Sequence, residues 1–232
     1  MISALSISPV RQNHSDTGKS IPVYITSTKV VLEGELQVPD EPLGVVLFAH
    51  GSGSSRHSVR NRMVARTLHR AGIGTLLFDL LTPQENVEDQ IDGFFRFDIP
   101  LLTSRLLMAT SWLHSHPAAK DLPYAYFGAS TGAAAALVAA AEIGPSIRAV
   151  VSRGGRPDLA LRHLSKVKSP ILLIVGGQDD LVLKLNERAL ATMTCEKKLE
   201  VIPYASHLFE EPGTLEQVAS LAADWFETHL HP

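Results

Sequence analysis

The sequence predicts an α/β domain with a mostly parallel sheet of about eight strands and helices on both faces. Three observations carry this. Short runs rich in Val, Ile, Leu and Phe recur from Gly44 onward. Each run stops at a Gly- or Ser-containing turn and gives way to a segment with helical spacing. The runs are apolar throughout rather than alternating, as expected of strands covered on both faces.

Taken in order, residues up to about Lys19 carry little pattern and are expected to be partly loose. Val23–Ser27 and Val30–Val38 are β-rich stretches split by a short polar break, which predicts an antiparallel pair. The apolar runs follow: Gly44–His50, Gly74–Leu80, Tyr124–Ser130, Ala149–Gly155, Pro170–Gly177 and Leu199–Ala205. Between them, Met63–Ala71 places Met63, Val64, Leu68 and Ala71 at helical spacing. A second helix begins at Asp98, with Pro100 in the first turn, where its missing N–H costs little. The last opens at Thr214, with Gln217 at capping-box spacing, and continues through Val218, Leu221 and Trp225.

With 232 residues, the chain suits one domain spanning 1–232, and 45% hydrophobic against 19% charged residues permits a substantial core. A net charge of -3 favours neither nucleic acid nor an anionic membrane. The single cysteine, Cys195, excludes an internal disulfide and suits a reducing compartment. The polar N-terminus lacks the apolar core of a secretory signal. The longest apolar run, Ala133–Ala141, is too short to span a bilayer. A cytoplasmic protein is expected. No phosphate-binding loop, dinucleotide fingerprint or zinc-spaced histidine pair is present, so no cofactor or metal is expected. His114 and His116, near Pro117, read as solvated residues of a helix end.

Ligands of such sheets bind at the carboxyl ends of the strands. There, Tyr124–Ser130 ends in Gly128-Ala129-Ser130-Thr131-Gly132 and passes into a helix former. This is G-x-S-x-G in a strand–turn–helix context, which presents a serine hydroxyl on a sharp turn. That hydroxyl needs a base. Of the later histidines, His163 lies in a helical stretch and His229 and His231 in the tail; only His207 follows a strand and precedes a helix. The acid is expected after Pro170–Gly177, where Asp179 is preferred to Asp180; Asp180 is assigned to capping the next helix. Asp79 precedes the serine and reads as structural. The oxyanion would receive backbone N–H groups from Thr131 and from Ser52, with Gly53 as second choice, in the loop His50-Gly51-Ser52-Gly53-Ser54-Ser55. His50 reads as a buried hydrogen-bonding partner of that loop.

In chain order, the HGSG, GASTG, GGQDD and ASHLFE segments resemble the α/β-hydrolases of the dienelactone-hydrolase-like branch, from about Gly44 to Leu230. Dienelactone hydrolases proper carry a cysteine nucleophile. Here that position is Ser130, and Cys195 has no elbow around it. The resemblance therefore implies a serine esterase mechanism rather than the lactone-opening role. It also implies that any lid would follow the sixth strand, and Gly155–Pro170 leaves room for one short helix only. An open, small site for small soluble esters is expected.

Four arginines fall in loops on the same edge: Arg56, Arg96, Arg153 and Arg156. Solvation or local pairing is the ordinary role of such residues. The sharper expectation is that Arg153 or Arg56 receives a substrate carboxylate or phosphate. Competing functions are a thioesterase, lactonase or peptidase using the same triad, incidental peracid chemistry, or a non-catalytic small-molecule or partner-binding protein on this fold.

Overall fold

A computed structural model describes residues 18–231. The segment 1–17, expected to be partly loose, lies outside the described residues. β1 (Ile21–Thr26) and β2 (Val31–Gln37) form the expected antiparallel pair, with Ile21 opposite Leu36. β2 then pairs antiparallel with β4 (Gly74–Phe78). The other strands run parallel to β4: β3 (Val45–Ala49), β5 (Tyr124–Ala129), β6 (Ile147–Arg153), β7 (Ile171–Gly176) and β8 (Lys197–Ile202). Their order is β1-β2-β4-β3-β5-β6-β7-β8 in one eight-stranded sheet.

The helices are α1 (Val59–Arg70), α2 (Pro83–Asp92), α3 (Ile99–Ser115), α4 (Thr131–Ile143), α5 (Leu161–Leu164), α6 (Asp180–Thr192) and α7 (Thr214–Leu230). Successive strand side chains point to opposite faces, so each apolar run feeds two cores. Leu47, Leu76, Tyr126 and Leu173 pack with Leu106, Leu113 and Leu137 of α3 and α4. Val46, Phe48, Phe127 and Ile174 pack with Val64 and Leu68 of α1 and Val218 and Phe226 of α7. At ~25 cal/mol per Å² of apolar surface, this two-sided burial is the main term holding the layers together.

Several boundaries differ from expectation for local reasons. α1 starts at Val59, four residues before Met63, because Ser58 Oγ accepts the Asn61 N–H at 3.3 Å. Its first turn reads Val-Arg-Asn-Arg, in which no apolar period is visible. α2 is unanticipated. A capping box starts it: Thr82 Oγ1 accepts the Glu85 amide at 3.2 Å, and Glu85 Oε2 accepts the Thr82 amide at 2.8 Å. Its apolar residues Val87 and Ile91 stay exposed, so there was no core stripe to read. The capping box expected at Thr214 does not form. Gly213, at φ +81°, precedes the helix, and Thr214 Oγ1 donates to the Glu211 carbonyl at 2.7 Å. β8 ends at Ile202, which leaves Pro203–Ala205 to the following turn. Between β6 and β7 lie only a 3-10 turn, Pro157–Ala160, and the single-turn α5, with no lid domain. Among the described residues, no helix is long and apolar enough to cross a membrane.

Candidate active site

Ser130 joins β5 to α4 with φ 51° and ψ -121°, a conformation that costs a non-glycine residue about 1–3 kcal/mol. The flanking glycines make the bend possible. A Cβ at Gly128 would stand 2.4 Å from Ala133 Cα, and one at Gly132 would stand 2.2 Å from the Ala49 carbonyl oxygen. Backbone hydrogen bonds hold the bend. The Ser130 N–H donates to the Arg153 carbonyl at 3.2 Å, and its own carbonyl accepts from the Arg156 amide at 3.1 Å. The turn after β6 is thus fastened to the serine on both sides.

His207 sits in the loop between β8 and α7, with Nδ1 2.6 Å from Asp179 Oδ2. The Asp179 side chain is 14% exposed and the His207 side chain 40%. Burial on the carboxylate side strengthens the contact, and the open side leaves the ring accessible. Asp179 Oδ1 also accepts the Val182 amide at 3.4 Å, as N-cap of α6. The capping role expected of Asp180 therefore belongs to Asp179, and Asp180 lies exposed in the first helical turn. Gly154, at φ +50°, backs the imidazole: a Cβ there would lie 3.4 Å from His207 Cε1 and 3.5 Å from Nδ1. Because Gly154 follows the residue that accepts the Ser130 amide, ring and serine lie at the same sheet edge.

The loop after β3 approaches the elbow from the other side. A Cβ on Gly51 would come within 3.1 Å of Ser130 Cβ. Ser52 Oγ and Thr131 Oγ1 are 3.1 Å apart, so the two expected oxyanion-hole residues meet through their side chains. A cavity of about 10 Å³, room for roughly one water, adjoins Ser52, Thr131, Leu80 and Leu102. A depression of about 730 Å³ lies at the opposite edge of the sheet between Pro42, Pro123 and Arg148. It has no part in this site.

His50 behaves as a loop fastener. The Leu80 amide donates to its Nε2 at 3.0 Å, so Nδ1 carries the proton and donates to the Gly51 carbonyl at 3.0 Å. Burial lowers its pKa and keeps the ring neutral.

The four arginines separate. The Arg56 guanidinium pairs with Asp79 and with Glu33 at 2.5 Å, and its amide donates to Asp79 Oδ1 at 2.6 Å. Its fork is filled, which corrects the expectation that it could receive a substrate anion. Arg96 is held by Asp89 through Nε at 2.7 Å, and Arg156 by Asp158 through two contacts of 2.8 Å. Arg153, alone of the four, meets no carboxylate among the described residues: it is 8% exposed, and its Nη2 donates to Asn61 Oδ1 at 3.5 Å.

Two supporting residues escaped the sequence reading. Glu211 accepts the Ser206 amide at 3.0 Å, bracing the residue just before His207, and these hydrogen bonds lower its pKa. Asn186 on α6 donates from Nδ2 to the Gly155 carbonyl at 3.0 Å and to the Val182 carbonyl at 2.8 Å. The paired acids before Pro212-Gly213 were the available hint for Glu211; nothing local marks Asn186.

Strand order, elbow and loop positions define the α/β-hydrolase fold. The comparisons narrow this further: the chain belongs to the dienelactone hydrolase family, whose model matches residues 32–230. It is similar to the dienelactone hydrolase of Anabaena variabilis, with 54% identity and a TM-score of 0.90 over 93% of this chain and 100% of that one. It is 58% identical over 208 residues to a Mycobacterium tuberculosis protein whose name assigns it, provisionally, to the phosphoribosyl transferases. That match covers 90% of this chain and 46% of the relative, so the chain spans about half the length of the curated relatives it matches first. Est1E of Butyrivibrio proteoclasticus shares the fold at 16% identity, with a TM-score of 0.76 over 90% of this chain and 98% of that one.

Proposed function

We propose that this chain hydrolyses small carboxylic esters through Ser130, His207 and Asp179. His207 takes the Ser130 proton as Oγ attacks the acyl carbon. Asp179 fixes the imidazole tautomer and stabilises the imidazolium that forms. The Thr131 and Ser52 amides receive the oxyanion, each worth about 3–4 kcal/mol in the transition state. His207 then returns the proton to the leaving alcohol, and water releases the acid from the acyl-enzyme.

The observation that carries this reading is the 2.6 Å His207–Asp179 contact at the sheet edge that holds the strained Ser130. Support for a small acyl group comes from the narrow space beside Ser52 and Thr131. The same triad would also serve thioesters, lactones and amides. The transferase name of the M. tuberculosis relative belongs to a protein about twice as long as the matched segment, whereas the site here is suited to acyl transfer. The deciding experiment combines a fluorophosphonate label with a panel of short acyl esters, using Ser130→Ala as the blank. One adduct on Ser130 and turnover of short esters are expected. A folded wild-type protein that takes no label and turns over no ester would sink the proposal and leave a binding role.

A further inference from the structure

Of the two arginines buried among the described residues, Arg105 pairs with Glu85, and Arg153 meets no carboxylate and takes no part in the hydrolytic machinery. Its side chain leaves the end of β6 on the face covered by α1 and α7 and reaches Asn61, the third residue of α1. Among the described residues its Nε and Nη1 have no hydrogen-bond partner. Burial, followed by the nearby Arg60 charge, lowers its pKa to about 10, so it remains protonated at neutral pH. A second cation thus lies beside a first one that has no counter-ion. Among the described residues Arg60 itself meets only Glu210, at 3.4 Å, a pair whose side chains are 34% and 64% exposed and which solvent screens.

The same place is a helix start. α1 has no acidic residue in its first turn, and Ser58 Oγ caps only the Asn61 amide. The Val59 and Arg60 amides have no intrahelical acceptor, and the helix dipole adds to the positive potential. A buried guanidinium with unfilled donors, a second arginine and an open helix N-terminus converge on one spot. All three call for the same complement, a small oxyanion.

We propose that Arg153, Arg60 and the first turn of α1 receive one small oxyanion, a carboxylate or a phosphate, beside His207. Proximity to the hydrolytic centre follows from the backbone: the Arg153 carbonyl accepts the Ser130 amide, and Gly154 packs on the His207 ring. The anion has two possible sources, a free ion or the acid end of the substrate. Only the second rests on the hydrolase reading.

The test begins with thermal unfolding in rising inorganic phosphate, with ionic strength held constant, for wild type, Arg153→Met and Arg60→Gln. Wild-type Tm is expected to climb over the millimolar range, Arg153→Met to stay flat, and Arg60→Gln to need several-fold more phosphate. Arg60 is only part-buried, so Arg60→Gln carries the test if Arg153→Met does not fold. Parallel phosphate responses in wild type and variants would overturn the site.

The source is then read from kcat/KM on an ester with a distal carboxylate and on its neutral isostere. A loss in Arg60→Gln of tenfold or more confined to the acidic ester assigns the anion to the substrate. Equal kcat/KM values, alongside a weakened phosphate response, assign it to a free ion. If Ser130 proves unreactive while the phosphate response stays specific to wild type, the hydrolase reading falls and the anion site stands.

Discussion

Asp179 divides its carboxylate between two elements: Oδ2 holds His207 Nδ1 at 2.6 Å, while Oδ1 caps α6 through the Val182 amide. The imidazole is therefore oriented by a group that is itself locked to a helix end. Charge and capping can be separated by mutation. Asp179→Asn keeps an acceptor for the cap but loses the anion, so kcat on esters should fall by about 10³–10⁴ with little loss of stability. Asp179→Ala should add a loss of about 1 kcal/mol from the cap. Ester kinetics and urea unfolding on the two variants check this, with Asp180→Asn as a near-neutral control.

The Ser130 backbone stores strain that glycine would relieve. Ser130→Gly should abolish labelling and turnover yet stabilise the protein by about 1 kcal/mol, because φ 51° costs glycine little. A denaturation midpoint at or below that of wild type would contradict this. Gly132→Ala should do the reverse of stabilising, since its Cβ would meet the Ala49 carbonyl oxygen at 2.2 Å. A loss of about 3 kcal/mol or more, or failure to fold, is expected.

Acid sensitivity should come in part from buried histidines. Burial lowers the His69 pKa to about 4 from 6.5, while Nε2 contacts Thr75 Oγ1 at 2.7 Å. Between these two values the unfolded chain binds a proton that the native chain refuses. Stability from this group is therefore complete above pH 6.5 and declines as pH falls toward 4. His50, shifted the same way, adds to the slope. His69→Gln should flatten the profile by about 2 kcal/mol between pH 7 and 4.5 in urea titrations.

Asn186 links α6 to the turn that backs His207. Asn186→Leu should leave the Gly155 carbonyl unpaired, lowering stability by about 1–3 kcal/mol. Because Arg156 in that turn also bonds the Ser130 carbonyl, kcat should fall while KM changes little. A change confined to KM would assign Asn186 to substrate binding instead.

What the sequence revealed follows from where the information is local. Parallel strands covered on both faces announce themselves as apolar runs, so β3 to β7 were legible to within about two residues. The antiparallel β1–β2 pair was also readable from its β-rich stretches. Ser130, Asp179 and His207 stood out as candidates because each lies just past a strand end, a position the structure gives all three. α2 was hidden, since its apolar residues face solvent and only the Thr82–Glu85 cap marks it. The fates of the arginines were hidden too. Pairing of Arg56 with Glu33 and Asp79 joins residues distant in sequence, and no pattern in the chain distinguishes it from Arg153, which meets only Asn61 among the described residues. Asn186 was missed for the same reason: its partner lies across a strand crossover.

The bend at residue 130 is secured by glycines that carry no Cβ and by backbone hydrogen bonds to carbonyls, with no side-chain hydrogen bond capping α4. The frame is therefore indifferent to which heteroatom it carries. Exchanging the hydroxyl for a thiol alters one side-chain atom and leaves these backbone hydrogen bonds in place. Reactivity and architecture can in this way diverge independently, and lineages on a single scaffold can differ in chemistry while remaining superimposable.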